Sequence, residues 1–346
     1  MTNPEPPFAV NPREVPFHLL KMLRAHATKR NPPPPAWRRR QINTWQRFEA
    51  DRLETPTEPL IYGLTTVWNE DDVIYATVRN LFLQGVDEVF VVDDESDDDT
   101  VTEAKIAGAT LIQDASEGTF EEQRRTRRIT EFMNDQTATA GRPVWWIVVD
   151  ADEFPRGPDG TTIRDLVSTL PPSVDTIGSR VLEHYPSRTS APLPRHHPLD
   201  ELRMARPHTI AFCPEAHWKH QMVLLRNPGD LAFTPGRHTI QASPARPIVE
   251  SSASLLMHHF PLRDRERTEQ KFRQAAESRY TGTTDAFIKK RLRKRLRMLE
   301  LAYTEQYHLL PNMYPGERKQ GTTLKDWQSL VPASERTPTH TPGQPL

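Results

Sequence analysis

The sequence predicts an α/β fold, with a mostly parallel central sheet flanked by helices and helical extensions at both ends. Three observations predict it. Between residues 59 and 155, short continuous apolar runs alternate with segments of helical periodicity, the pattern of a parallel sheet covered on both faces. Two of those runs pass directly into dense acidic clusters, which sets the acids beyond the carboxyl ends of strands, where open α/β sheets bind ligands. The chain's 346 residues suffice for one large α/β domain with extensions, or for two smaller domains.

Residues 15–27 (VPFHLLKMLRAHA) have helical periodicity and lead into a basic, proline-rich link, so 1–58 reads as an N-terminal extension. The core opens with the strand IYGLTTVW (61–68). A helix from Asp71 to Leu83 then places Ile74, Val78, Leu81 and Phe82 on one face, with Asn69 as its N-cap. The strand EVFVV (88–92), a helix around Asp99 to Ala107, the strand TLIQ (110–113) and a helix from Thr119 to Met133 follow. VWWIVV (144–149), the most apolar strand, closes this half at residue 155. The second half, 156–264, carries a helix (162–170), strands at 174–183, 221–226 and 254–257, and a Pro/His-rich stretch between them. Residues 265–330 are helical, and 331–346 form a tail. The 33 prolines, against 14 glycines, crowd into Pro4–Pro7, Pro32–Pro35 and the end of the chain, segments too poor in apolar surface to offset the cost of ordering.

Composition removes several classes of function. Lys+Arg 45 against Asp+Glu 46 leaves a net charge of -1, so no global field draws in nucleic acid or membrane. The single cysteine, Cys213, excludes an internal disulfide and a cysteine zinc cluster. The N-terminus lacks a basic-then-apolar leader, and no apolar run approaches the roughly 20 residues that span a bilayer. The expectation is a soluble, cytoplasmic protein. In the basic run KKRLRKRLR (289–297), Ile288, Leu292, Leu296, Leu299 and Tyr303 recur at helical spacing, a stripe that by default packs on a core. The alternative use of its charged face is peripheral contact with an anionic membrane surface or an acidic partner.

Asp150 and Asp152 of VVDADEF end the most apolar strand and supply two hard oxygen donors, which suits Mn2+ or Mg2+ bridging two phosphates. Such a cation neutralises charge that builds up on a diphosphate leaving group. Glu153 is a candidate for the outer shell. In the run Asp93 to Asp99, the later carboxylates suit a helix N-terminus, whereas Asp93, next to the buried strand, is the better ligand contact. Arg124, on the basic helix before the metal strand, is a candidate for the diphosphate because guanidinium binds phosphate oxygens in pairs. His258 and His259 are candidates to close a coordination shell begun by the aspartates.

The segment TTVWNEDDVIYATVRNLFLQGVDEVFVVDDESDDDT (65–100), taken with DADEF (150–154), resembles the opening of family 2 glycosyltransferases of the GT-A kind. The resemblance covers residues 60 to 155. It is nearest to a bacterial branch with a late His-aromatic-Pro-x-Arg segment, here His259-Phe260-Pro261-Leu262-Arg263. It implies that Thr66 and Asn69 border a nucleobase pocket, that Asp93 hydrogen-bonds the base with Asp94 nearby, and that Asp150 and Asp152 bind ribose and metal. His259 would complete the metal shell and Arg263 would contact phosphate.

What the resemblance implies is an inverting transfer of sugar from a nucleoside diphosphate sugar to a hydroxyl acceptor, which is a carbohydrate, lipid, small molecule or peptide. Inversion requires a carboxylate that takes the acceptor's proton. Glu183, Asp200, Glu201 and Glu215 are candidates, and Glu215 is preferred because Trp218, Lys219 and His220 beside it suit a sugar and an anion. The alternatives are a nucleotidyltransferase and a non-catalytic sugar- or nucleotide-binding domain of the same fold. A nucleotidyltransferase normally carries a Gly-rich basic loop after its first strand, where this chain has Asn69-Glu70-Asp71-Asp72.

Overall fold

The apolar runs of the first half become strands because their side chains have somewhere to go on both faces. In β2 (Glu88–Asp93) and β4 (Val144–Asp150), alternate residues enter different cores. Val89, Val91, Trp145, Ile147 and Val149 pack on one side of the sheet, and Phe90, Val92, Val144, Trp146 and Val148 on the other. Two-sided burial is why these strands read as unbroken apolar runs instead of alternating ones.

The structure is a computed structural model, and it describes residues 58–113, 122–186, 188, 208–211, 220–225, 232–233, 240–241, 248–278, 285–306 and 325–326. The predicted helix at 15–27 lies outside them, as does Glu215.

β1 (Leu60–Val67), β2, β3 (Thr110–Gln113) and β4 form a parallel sheet in the order β3-β2-β1-β4. The first face is covered by α1 (Ile74–Leu83), α2 (Thr100–Ile106) and α4 (Ile163–Thr169), through Ile74, Val78, Leu81, Ala104, Ile163, Leu166 and Val167. On the second face lies α3 (Glu122–Ala140), through Ile129 and Met133. Trp146, fully buried there, sits edge-on to Tyr62 at 5.2 Å between ring centroids and donates its indole N–H to Thr137 Oγ1 at 2.9 Å. Both the satisfied donor and the edge-on ring favour this placement.

Beyond β4 the sheet turns antiparallel. β8 (His220–Leu225) pairs with β4, β6 (Thr176–His184) with β8, β7 (His208–Ala211) with β6, and β12 (Lys325–Asp326) with β7. β5 (Glu153–Arg156) and β11 (Leu255–His259) branch off, with β11 antiparallel to β5 and parallel to β6. A separate two-stranded ribbon joins β9 (Ala232–Phe233) to β10 (Ile240–Gln241). The mostly parallel core with flanking helices is the class the sequence predicts. β5, β7, β9, β10 and β12 are additions to it, and β5 carries one sheet across the expected division at residue 155.

Three local expectations are corrected. The helix expected from Asp71 starts at Ile74, and the N-cap position, Val73, makes no side-chain capping bond. Asn69 is not a cap. It adopts φ 54° and uses its side chain on the loop after β2, because that tertiary partner satisfies more of its polar atoms than a helix end would. The helix expected at 119–133 extends to Ala140, since Thr137 meets Trp146 and keeps the last turns packed.

α1 ends in a Schellman motif, with Gly85 N–H bonded to Phe82 O at 2.9 Å and Val86 N–H to Leu81 O at 3.2 Å. Gly85 takes φ +85°, and a Cβ there would lie 2.6 Å from Arg164 Cβ on α4. Gly85→Ala is therefore expected to destabilise by about 2 kcal/mol through the left-handed backbone and the clash, read as a lower urea midpoint at constant m.

At the C-terminal end, α5 (Arg265–Ser278) and α6 (Asp285–Tyr303) follow β11. Met298, Leu299, Leu301 and Ala302 of α6 are buried, and Leu299 and Ala302 pack with Tyr185 and Leu262. The C-terminal part of the apolar stripe is thus a core contact, while Lys289, Lys290, Arg291, Arg293 and Lys294 are exposed. Among the described residues, no helix is long and apolar enough to cross a membrane.

Candidate nucleotide and metal site

Parallel pairing brings the acidic strand ends to one level. Val67 lies opposite Asp93 and Thr66 opposite Asp150, so β1 stands between the two acids at the carboxyl rim of the sheet. Thr66 is buried at that level. The rim loops are tied to one another. Asn69 N–H donates to Ser96 Oγ at 3.0 Å, its Nδ2 to Asp97 Oδ1 at 2.6 Å, and its Oδ1 accepts from Asp97 N–H at 3.0 Å. Asp98 accepts from Thr100 N–H at 2.9 Å, the helix-end role expected for the later acids of the run. Asp93 accepts from Ser96 N–H at 3.3 Å, turning the chain after β2. Asp94 is buried, 3.7 Å from an Arg125 guanidinium nitrogen. Its neighbour on α3, Arg124, is partly buried.

The turn from β4 to β5 is built by backbone contacts that leave the Asp152 carboxylate facing the rim. Asp150 N–H donates to Glu153 Oε2 at 2.9 Å, and Phe260 N–H donates to Asp152 O at 2.9 Å. From α1, Thr77 Oγ1 hydrogen-bonds Ala151 O, and Asn80 Nδ2 reaches Pro155 O at 3.0 Å. Neither Thr77 nor Asn80 stood out in the sequence, although two polar residues on the buried face of an otherwise apolar helix are a readable signal.

β11 delivers the histidines. His259 is in register with Glu153 of β5 on one side and Glu183 of β6 on the other. Its Nε2 lies 3.5 Å from Asp152 Oδ1, and its Nδ1 is 2.9 Å from the Glu183 carboxylate. Burial by itself would lower the imidazole's pKa, but Glu183 and Asp152 outweigh it and hold His259 well above its ordinary value. Burial likewise works to raise Asp152, and His259, Arg263 and Lys271 overcome it, so that carboxyl stays far below the usual range. His258 points elsewhere, with Nδ1 2.8 Å from His184 Nε2 in the interior, where His184 stacks on Phe260 at 4.4 Å.

Arg263 stands at the centre of the rim's charge. Nε donates to Asp72 Oδ2 at 2.8 Å, NH2 to Asp72 Oδ1 at 3.1 Å and Glu70 Oε2 at 2.5 Å, and NH1 to Asp152 Oδ2 at 3.3 Å and Phe260 O at 3.2 Å. From the first turns of α5, Lys271 pairs with Glu70, and Arg267 pairs with Asp71 and, at 3.1 Å, with Asp98. The loop after β1 is therefore clamped by α5. The acidic run Glu70–Asp72 and the cations of residues 263–271 had no assigned partners in the sequence, because they lie about two hundred positions apart.

Two expected cation donors, Asp152 and His259, are thus adjacent. Among the described residues, no group of three or more His, Cys, Asp or Glu side chains is placed where it could hold a metal ion. That set fits a hard divalent cation, which typically takes one or two protein carboxylates and completes its shell with substrate phosphates and water. A closed protein cage is not required.

Fold and rim define a Rossmann-like α/β protein with charged loops at the carboxyl ends of β1, β2 and β4. No protein family and no curated protein matches the chain. Among solved structures, glucosyl-3-phosphoglycerate synthase from Mycobacterium tuberculosis, in complex with Mn2+, UDP-glucose and phosphoglyceric acid, is 19% identical over 38% of this chain and 45% of its own, with a TM-score of 0.22. Mannosyl-3-phosphoglycerate synthase from Rubrobacter xylanophilus is 15% identical over 42% and 47%, at 0.23. A second structure of the Mycobacterium tuberculosis synthase is 12% identical over 75% and 83%, at 0.29. The chain spans less than half the length of the first two of these, and at such TM-scores the likenesses lend the site no support.

Proposed function

We propose that this rim binds a nucleoside diphosphate sugar together with Mn2+ or Mg2+, and that the chain is an inverting glycosyltransferase acting on a hydroxyl acceptor. The observation that carries the reading is the meeting of Asp152 and His259, 3.5 Å apart, at the carboxyl end of β4. Asp152 and His259 hold the cation, with Asp150 at the same turn as the third proposed ligand and ribose contact. When bound, the cation supplies Lewis-acid stabilisation of the departing diphosphate. Thr66, Asn69, Asp93 and Asp94 line the nucleoside side of the rim, and Arg124 is a phosphate contact. Arg263 becomes one by exchanging for a phosphate oxygen one of the protein acceptors that now take all five of its N–H groups. The acceptor is placed by residues 180–250, where Glu215 is the proposed base and lies outside the described residues. Glu183, an alternative base, is buried with its carboxylate 2.9 Å from His259 Nδ1, which favours Glu215 for that role.

The test is thermal melting with a panel of UDP-, GDP-, ADP-, CDP- and TDP-sugars, with and without Mn2+. A ligand at about 100 Kd stabilises by roughly 2.7 kcal/mol, so one donor class should raise Tm by about 5 °C, and only with the metal. A panel without any shift, or a shift unaffected by chelator, overturns the reading. Product formation on a responding donor separates a transferase from a binding module.

A further inference from the structure

The cation site proposed at Asp152 and His259 has a second layer that the motifs do not announce. Parallel pairing of β6 and β11 sets Glu183 directly beside His259 on the same face of the sheet. The Glu183 side chain is 2% exposed and its carboxylate lies 2.9 Å from His259 Nδ1. The other ring nitrogen, Nε2, faces Asp152 at 3.5 Å. An imidazole held at one nitrogen by a buried carboxylate has its ring plane set by that bond, which leaves the opposite nitrogen facing Asp152, where a bound cation would take the place of its proton.

We propose that Glu183 is the positioning residue of the cation site, with His259 donating Nδ1–H to Glu183 and presenting Nε2 beside Asp152. The inference rests on the reading of Asp152 and His259 as cation ligands. Two observations favour this over a plain ion pair between strands. Glu183 is buried to a degree that carboxylates reach only when a specific partner satisfies them. The ring it holds is also bracketed by Asp152, a group on a different loop that strand pairing alone would not bring to the second nitrogen. Removing such an outer carboxylate typically weakens metal binding 10- to 100-fold, because the histidine loses both its orientation and some basicity.

The experiment is titration of the metal-free full-length protein with Mn2+, following the free-ion EPR signal, for the parent, Glu183→Gln, Glu183→Leu and Asp152→Asn, with near-ultraviolet circular dichroism as the check on packing. Glu183→Gln keeps the shape and an acceptor oxygen but not the charge, so its Mn2+ affinity should fall about tenfold. Glu183→Leu removes the acceptor and should lose about a hundredfold, with Gln recovering part of that loss. Gln decides the matter should Leu fail to pack. Parent-like Mn2+ affinity in Glu183→Gln, with binding lost in Asp152→Asn, overturns the role of Glu183 and leaves the cation site standing. A parent that does not bind Mn2+, or an Asp152→Asn variant that binds as the parent does, overturns the cation site and this inference together.

Discussion

Asp152→Asn is expected to lower sugar transfer by roughly a thousandfold while leaving the fold intact. The amide keeps the size of the side chain, and the bond that shapes the turn uses the backbone, from Phe260 N–H to Asp152 O. What disappears is one hard anionic donor, together with its charge beside His259 and Arg263, which keep Glu183 and the pair Asp72 and Glu70 as partners. Charge stabilisation by a bound cation is worth several kcal/mol, and at 1.36 kcal/mol per decade a loss of about 4 kcal/mol gives that factor. Turnover of Asp152→Asn on a responding donor at saturating Mn2+ is the measurement. Activity within a few-fold of the parent would remove Asp152 from the reaction.

Arg263→Met is expected to be the most destabilising single change at the rim. The guanidinium is mostly buried and binds Asp72 through two nitrogens while also touching Glu70 and Asp152. Methionine would leave these carboxylates buried without their shared cation, and breaking a buried pair from one side costs about 3 kcal/mol or more. Arg263→Lys keeps the charge but not the two-pronged geometry, and should recover only part of the loss. The effect carries a pH signature. Burial works to raise Asp72, but Arg263 outweighs it and holds the carboxyl below its ordinary value. A depressed folded pKa gives stability that is present above about pH 4, the unfolded value, and is lost as pH falls through the folded one. The urea-midpoint gap between parent and Arg263→Met should therefore be widest near neutrality and close on acidification. A gap independent of pH would mean that Arg263 acts through packing alone.

Legibility in the sequence followed how local each signal was. EVFVV and VWWIVV announced themselves because strands buried on both faces need apolar residues at every position, and acids directly after them had to sit at strand ends. EFPR gave no such sign. Pro155 interrupts it, and it is a strand only because β11 runs antiparallel beside it. Asn69 looked like a cap because it precedes a helix, yet its partners Ser96 and Asp97 lie 27 and 28 residues away and compete better for its polar atoms.

Composition and periodicity by themselves determined the class of fold and the carboxyl rim, which depend on residues near one another in the chain. Asp152 was a candidate through its place after a buried strand, and His259 through the family resemblance. Only the tertiary structure decided who meets whom. Glu183 joins His259 across 76 positions, and Arg263 joins Asp72 across 191. Such pairings are chosen by strand register and by the cost of burying an unpaired charge, neither of which leaves a pattern in the surrounding sequence.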